Sequence, residues 1–302
     1  MNIGVIVPQG WTGEYKGWSA TDAWARTRDV AWQAEALGFE SIWLFDHFHT
    51  VPRPTLEITF EAFTALAALA AETSRVRLGH VVLCASYRNP ALTTKMISTL
   101  DAISGGRAEL GLGAGWKRDE WLAYGYGFPD APERLAVLKD QLEIAQVMMT
   151  EDRASYAGKY DSVTNAINQP APVQQPRIPI MVGGNGPNVT WRLAAKYADE
   201  LNVDGMTPDE VRQALPTIRA RCEEIGRDPD TLKVSVHVWW EQLDTPTGAP
   251  RSEMVAAYRE LGVSRIIGMI RGSVDSNDAL AAWAEDARAG GASLLDSVEI
   301  GS

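Results

Sequence analysis

Along this chain, short and almost wholly apolar runs alternate with longer stretches in which apolar residues recur every three or four positions. The runs read as strands buried on both faces of a parallel sheet: Ile3 to Val7, Ser41 to Phe45, Val76 to Leu83, Ala108 to Leu112, Ile178 to Val182, Glu200 to Val203, Lys233 to Trp240 and Arg265 to Ile270. A helical pattern follows each of them. In one, Asn89 reads as the cap, Pro90 as the first helical residue, Leu92, Met96, Leu100 and Ile103 as the apolar stripe, and Gly105-Gly106 as the stop. In another, Leu56, Phe60, Phe63, Leu66 and Ala70 form the stripe. Thr207-Pro208-Asp209-Glu210 is a capping box, and Gly226 closes its helix.

Repeated βα alternation of this kind over 302 residues predicts a (β/α)8 TIM barrel, whereas a doubly wound sheet would stop at fewer strands. No Ser/Gly-rich linker or charge block divides the chain, so residues 1–302 are expected to form a single barrel domain. The one irregular stretch, Glu151 to Arg177, is an insertion between the fourth helix and the fifth strand. Its core, Ser155 to Val163, reads as a hairpin around Gly158, followed by a proline-rich tether. It starts at the barrel face opposite the loops that follow the strands, and is expected to brace the barrel or a dimer partner.

Composition narrows the function. A net charge of −11 argues against nonspecific nucleic-acid binding, which rests on basic surface. The first strand has no basic segment before it, and the longest apolar helix, near Ala65 to Ala71, is bounded by Glu61 and Glu72, so neither a signal peptide nor a membrane span is expected. Cys84 and Cys222 lie far apart in sequence and suit a reducing compartment, and the expected location is the cytoplasm.

Active sites of such barrels sit on the loops after the strands. The loop after the first strand holds Trp11, Tyr15 and Trp18, and the loop after the fourth holds Trp116, Trp121, Tyr124, Tyr126 and Phe128. Singly these rings read as satellite core; as a group they predict a wide, mostly apolar pocket for a flat ligand. Gly183-Gly184-Asn185-Gly186-Pro187-Asn188, ahead of a helix predicted to begin near Pro187, suits either a phosphate or a tight turn without a ligand. Gly111, Gly113 and Gly115 lack the spacing of a dinucleotide fingerprint, even with Glu133 near the distance of a ribose-binding acid, and are read as close backbone approach to a ring. Where the second strand runs out, His47 is a candidate proton carrier, and Asp46 a candidate to accept a hydrogen bond or orient it. The alternative for this pair is a loop anchor. His47 and His49 are spaced as in metal hydrolases, but only His80 and His237 remain and neither has a ligand cluster beside it, so no metal is expected.

Over nearly its full length the chain resembles the luciferase-like flavin and deazaflavin oxidoreductases, which are (β/α)8 barrels. The resemblance lies in Asp46-His47-Phe48, Leu78-Gly79, Tyr87-Arg88-Asn89-Pro90-Ala91, Leu100-Asp101, Ser104-Gly105-Gly106-Arg107, Gly111 to Trp116, and Val182-Gly183-Gly184. The Arg88-Asn89-Pro90-Ala91 segment and the Gly-Gly loop are most similar to the branch that uses the deazaflavin coenzyme F-420 (8-hydroxy-5-deazaflavin), with FMN as the alternative cofactor.

The resemblance implies a nonprolyl cis peptide at Val81-Val82 behind the cofactor ring. It implies Asp46 at the ring edge, Cys84 just past the bulge, Ala114 and Gly115 beside the cofactor's side chain, Gly183 and Gly184 at its phosphate, and Asp119 as a further contact or simply a helix start. Lys117 and Arg118 could meet the coenzyme's anionic tail or be solvated loop charges. The implied chemistry is hydride transfer to or from a small-molecule substrate, with His47 moving a proton and the cofactor carrying the redox step. Members that oxidise sugar phosphates carry a glutamate after the glycine loop, where this chain has Trp116. That departure points to an apolar or aromatic substrate lined by Trp116, Trp239 and Trp240, of which strand alternation lets only one of the last two face inward. A homodimer is implied as well. The other readings are an FMN-dependent monooxygenase using reduced flavin and oxygen, and a nonredox flavin-binding barrel.

Overall fold

The computed structural model describes residues 1–243 and 247–296. The elements run β1 (Asn2–Ile6), α1 (Ala20–Leu37), β2 (Ser41–Leu44), α2 (Ala62–Glu72), β3 (Arg77–His80), β4 (Leu83–Cys84), α3 (Pro90–Ser104) and β5 (Ala108–Gly113). After these come α4 (Arg118–Ala123), α5 (Ala131–Thr150), β6 (Ala154–Ala157), β7 (Ser162–Ala166), β8 (Ile180–Gly183), α6 (Thr190–Tyr197) and β9 (Glu200–Asp204). The last are α7 (Pro208–Glu223), β10 (Lys233–Val238), α8 (Trp240–Leu243), α9 (Ala249–Glu260), β11 (Arg265–Met269) and α10 (Asp278–Ala289).

The strands lie in the order β3-β2-β1-β11-β10-β9-β8-β5-β4, all parallel, and a β3–β5 pairing closes the ring. Because β3 and β4 are two halves of one stave, this is a closed (β/α)8 barrel. The predicted third strand, Val76 to Leu83, is thus interrupted, and the peptide between Val81 and Val82 in the gap is cis. Gly113 of β5 and Gly183 of β8 receive this bulge. A methyl on either would sit 2.6 Å and 2.8 Å, respectively, from the Val82 side chain. On Gly111 it would meet the His80 carbonyl at 1.9 Å. The glycine run after the fourth strand, read as room for a ligand ring, is at Gly111 and Gly113 room for the protein's own bulge.

Local signals place the helix ends. Asn89 Oδ1 accepts from the Ala91 and Leu92 amides, Pro90 is the first residue of α3, and Gly105 ends it at φ 65°. The Thr207/Glu210 capping box is fully formed. Other boundaries differ from expectation. Glu61 caps α2, which leaves Leu56 fully exposed and Phe60 in the preceding loop. Helix α6 begins at Thr190 rather than near Pro187, and β10 stops at Val238 because Trp240 opens the short α8.

The stripe predicted for α3 is also turned. Leu100 is buried, but Leu92 and Ile103 are half exposed, and the inward face carries Thr94, Ser98 and Asp101. The tether uses these polar groups: Asn168 Nδ2 donates to Ser98 Oγ at 2.9 Å, and the Val173 amide donates to Asp101 Oδ2 at 2.8 Å. The antiparallel β6–β7 hairpin is held against α5 by Asp140, whose Oδ2 accepts from the Tyr160 amide at 2.7 Å. The insertion therefore braces its own barrel.

Charge seals the barrel's N-terminal end. The Arg265 guanidinium donates to Glu109 at 2.8 and 3.0 Å and to Glu40 at 3.1 Å, lies 3.5 Å from Glu200, and sits over Trp43. Burial alone would raise the Glu109 pKa, but Arg265 and Arg77 hold it well below the usual carboxylate range.

Candidate active site

At the C-terminal ends of the staves a cleft opens with roughly 1000 Å³ of empty space, counting its mouth, a size suited to a cofactor or drug-sized ligand. Its floor is the Val81–Val82 bulge flanked by Cys84, Gly113 and Gly183. One wall, from the loops after β1 and β2, carries Trp11, Phe45 and His47. The wall continues onto β9 and β10 with Asn202, Asp204, His237 and Trp239, where Trp239 packs on Phe45 and Trp11. Ala114, Gly115, Trp116 and Lys117 edge the mouth.

His47 is held from two sides. Its Nδ1 lies 2.8 Å from Glu120 Oε2, and its ring stacks on Trp11 with centroids 4.5 Å apart and planes 8° from parallel. Glu120 is fully buried in α4. It also accepts from the Phe48 amide at 2.6 Å and from the Tyr87 hydroxyl at 2.9 Å. Burial would raise its pKa, but the hydrogen bonds from His47, Phe48 and Tyr87 outweigh it and hold the carboxyl below its ordinary range. An ionised Glu120 can only accept here, so Nδ1 carries its proton toward Glu120, and Nε2 has no hydrogen-bond partner among the described residues.

Asp46 does not orient His47. It is buried against Arg88, which donates to both its oxygens at 2.8 and 2.9 Å, and it accepts the Cys84 amide at 2.9 Å. Arg88 continues to Glu61 at 2.7 Å. Asp46 thus ties the loop after β2 to the end of the broken stave. The Cys84 thiol lines the cleft, and its burial raises its pKa far out of the reactive range.

A family model described as "Luciferase-like monooxygenase" matches residues 1–289. The chain belongs to the luciferase-like monooxygenase family. Among curated relatives, it is 33% identical over 230 residues to an F-420-dependent glucose-6-phosphate dehydrogenase of Kineococcus radiotolerans. That match covers 74% of this chain and 66% of the relative, so the chain spans just under two thirds of it. It is 26% identical over 258 residues to a 5,10-methylenetetrahydromethanopterin reductase of Methanopyrus kandleri, covering 82% of this chain and 70% of the relative. A solved F-420-dependent secondary alcohol dehydrogenase, in complex with an F-420–acetone adduct, superposes with a TM-score of 0.75 at 19% identity. That superposition covers 93% of this chain and 98% of the other.

In this luciferase-like barrel the residues singled out in the sequence largely meet. Asp46, His47, Val81, Val82, Cys84, Ala114, Gly115, Gly183, Gly184, Trp116 and Trp239 all line the cleft. Three of the groups singled out fall wholly or partly outside the lining. Trp240, turned aside where β10 gives way to α8, packs edge-on behind Trp239. Asp119 sits in the first turn of α4, outside the cleft lining, and pairs with Lys117 at 2.9 Å. Of the aromatic group only Trp11 and Trp116 line the cleft. Tyr15 is buried beside Thr27, while Trp121 and Phe128 pack with Phe48 and Tyr87 as a satellite core beneath the loop.

Several functional side chains escaped the sequence reading. Glu120 lies 73 positions from His47, and no local motif marks it. His237 was noted only as lacking metal partners; it and Asp204 come together because β9 and β10 pair in register at those residues. Cys84 and Cys222 are both free. Among the described residues no His/Cys/Asp/Glu group could hold a metal ion, and no helix is long and apolar enough to cross a membrane.

Proposed function

We propose that the protein is a coenzyme F-420 (deazaflavin)-dependent oxidoreductase that moves a hydride between the cofactor and an apolar or aromatic small molecule. The observation that carries this reading is the His47–Glu120 pair set in an aromatic cleft at the barrel mouth, in a chain whose relatives include F-420-dependent dehydrogenases. The deazaflavin, when bound, supplies the hydride chemistry. Val81, Val82 and Cys84 would back its ring, with Asp46 at the edge, Ala114 and Gly115 beside its side chain, and Gly183 and Gly184 near its phosphate. His47 moves a proton through Nε2, with Glu120 fixing the other nitrogen. The aromatic walls exclude water from the reacting centre. Trp116 and Trp239 would flank the substrate, and the scarcity of unpaired cations in the lining disfavours a sugar phosphate.

Self-association belongs to the same proposal. Helices α2 and α3 pack side by side, and Ala71, Leu92 and Ile103 point outward from them, with Met96 partly so. Such an apolar face on two neighbouring helices suits a second copy of the chain.

The test is a titration of the purified protein with oxidised coenzyme F-420 and, separately, with FMN, followed by tryptophan fluorescence. Preferential binding of F-420 is expected. Preferential binding of FMN, with oxygen consumed when the reduced flavin is supplied, would replace this reading by the flavin monooxygenase. Tight cofactor binding with no reaction that responds to His47→Ala would replace it by a nonredox barrel.

A further inference from the structure

Charge along the cleft is matched group by group, with one exception. Asp46 is neutralised by the two-pronged Arg88 contact, and Lys117 by Asp119 at 2.9 Å. Asp204 is different. Its side chain is 53% exposed, and its only ion-pair partner among the described residues is His237, whose Nδ1 lies 3.2 Å from Oδ1. The same Oδ1 accepts from Trp239 Nε1 at 2.8 Å, and Oδ2 has no hydrogen-bond partner among the described residues. Both contacts fall on Oδ1 and neither comes from Lys or Arg, so among the described residues Oδ2 stands open at the cleft wall.

The position is rigid. Asn185 clamps the Asp204 backbone from both sides, its Nδ2 donating to the Asp204 carbonyl at 2.7 Å and its Oδ1 accepting the Asp204 amide at 2.8 Å. The surroundings are aromatic. Trp239 stacks on Phe45 with centroids 5.7 Å apart and planes 10° from parallel, and Trp11 lies 5.7 Å from Trp239. Aromatic faces attract cations through their quadrupoles, and do so more strongly where water is excluded. His237 is also almost wholly buried, and its Nε2 has no hydrogen-bond partner among the described residues.

We infer that the substrate end of the cleft recognises a molecule with a cationic nitrogen on an aromatic or apolar body, the Trp239 ring, backed by Phe45 and Trp11, meeting its body and Asp204 its charge. The inference rests on the oxidoreductase reading above and names its substrate class. A phosphate dianion is disfavoured by the same carboxylate, and an uncharged hydrocarbon leaves that carboxylate desolvated without a partner.

The experiment uses two probes of one shape, benzyltrimethylammonium and its uncharged isostere neopentylbenzene, titrated into F-420-loaded protein by calorimetry and tryptophan fluorescence. The ammonium is expected to bind about tenfold or more tighter than the isostere. In Asp204→Asn, which keeps the acceptor for Trp239 and His237 and removes the charge, that ratio should fall below about threefold. Trp239→Leu, a second variant, should weaken the ammonium more than the isostere. Equal affinities in the wild type, or a preference that survives Asp204→Asn, would overturn the inference. Binding of F-420 is measured in the same preparations. Protein that prefers the ammonium yet binds no F-420 keeps the cation site and removes the cofactor reading, whereas protein that binds F-420 without the preference does the reverse.

Discussion

Glu120 reaches across from α4 to hold His47 at 2.8 Å, although 73 positions separate them, and the same carboxylate oxygen takes the Tyr87 hydroxyl at 2.9 Å. Glu120→Gln puts an amide that can donate where an acceptor stood, so His47 should lose its fixed Nδ1–H tautomer. Long-range ¹⁵N–¹H spectra of the imidazole read this directly, and an unchanged tautomer would remove Glu120 from the proton-handling role. Glu120→Ala strands the Phe48 amide and the Tyr87 hydroxyl in the interior, and should cost roughly 2–4 kcal/mol in urea unfolding.

Trp116, 63% exposed at the cleft mouth and edge-on to His47, should act on substrate more than on cofactor. Trp116→Glu is expected to weaken an aromatic probe such as 2-naphthol about tenfold, and F-420 by less than about threefold. Equal losses in the two titrations would count against a substrate-side role.

Gly113 and Gly183 face the Val82 side chain from two staves. Alanine at either puts its Cβ within 2.6 or 2.8 Å of a valine methyl, so the floor has to shift. Overpacking of this kind costs about 1–3 kcal/mol. Gly113→Ala and Gly183→Ala should each lower the urea midpoint and weaken F-420, and a variant with wild-type affinity would show that the floor does not touch the ring.

His80 is wholly buried against Phe63, and burial, helped by Arg88, pushes its pKa down to about 3. In the unfolded chain the ring takes a proton near pH 6.5. Between those values the unfolded state binds more protons, so this contribution is complete above about pH 6.5 and is lost as pH falls toward 3. His80→Phe should therefore reduce the drop in unfolding free energy between pH 7 and pH 5 by about 2 kcal/mol, measured by urea melts at both. An identical drop in the variant would place the acid sensitivity elsewhere.

The outward face of α2 and α3 gives a test of assembly. Leu92→Lys with Ile103→Lys should shift the sedimenting mass from that of two chains to one while leaving the circular dichroism unchanged. A wild-type protein that sediments as a single chain at micromolar concentration would exclude this face as an interface.

How much of this was legible beforehand depends on the range of the interaction concerned. The caps at Asn89 and Thr207 and the stop at Gly105 are decided within a few residues by hydrogen bonding to the chain's own backbone and by left-handed geometry, and they are where the sequence places them. Helix α3 shows the boundary of that reasoning. Its apolar residues repeat at helical spacing, but periodicity alone does not say which face turns inward, and the tether chose the face with Ser98 and Asp101. The motifs at Asp46-His47 and Gly183-Gly184 correctly marked the cleft, because residues at strand ends of a barrel have only one mouth to face.

By itself, then, the sequence determined the alternation of strands and helices, the barrel it implies, and the loops that surround the mouth, since each rests on local propensity and burial. Tertiary structure alone decided the partners: Glu120 for His47, Arg88 for Asp46, Asp204 for Trp239, and Arg265 for Glu109 across 156 positions. Those pairings follow from closure of the barrel, which brings distant staves into register and gives buried charges no choice but to find one another.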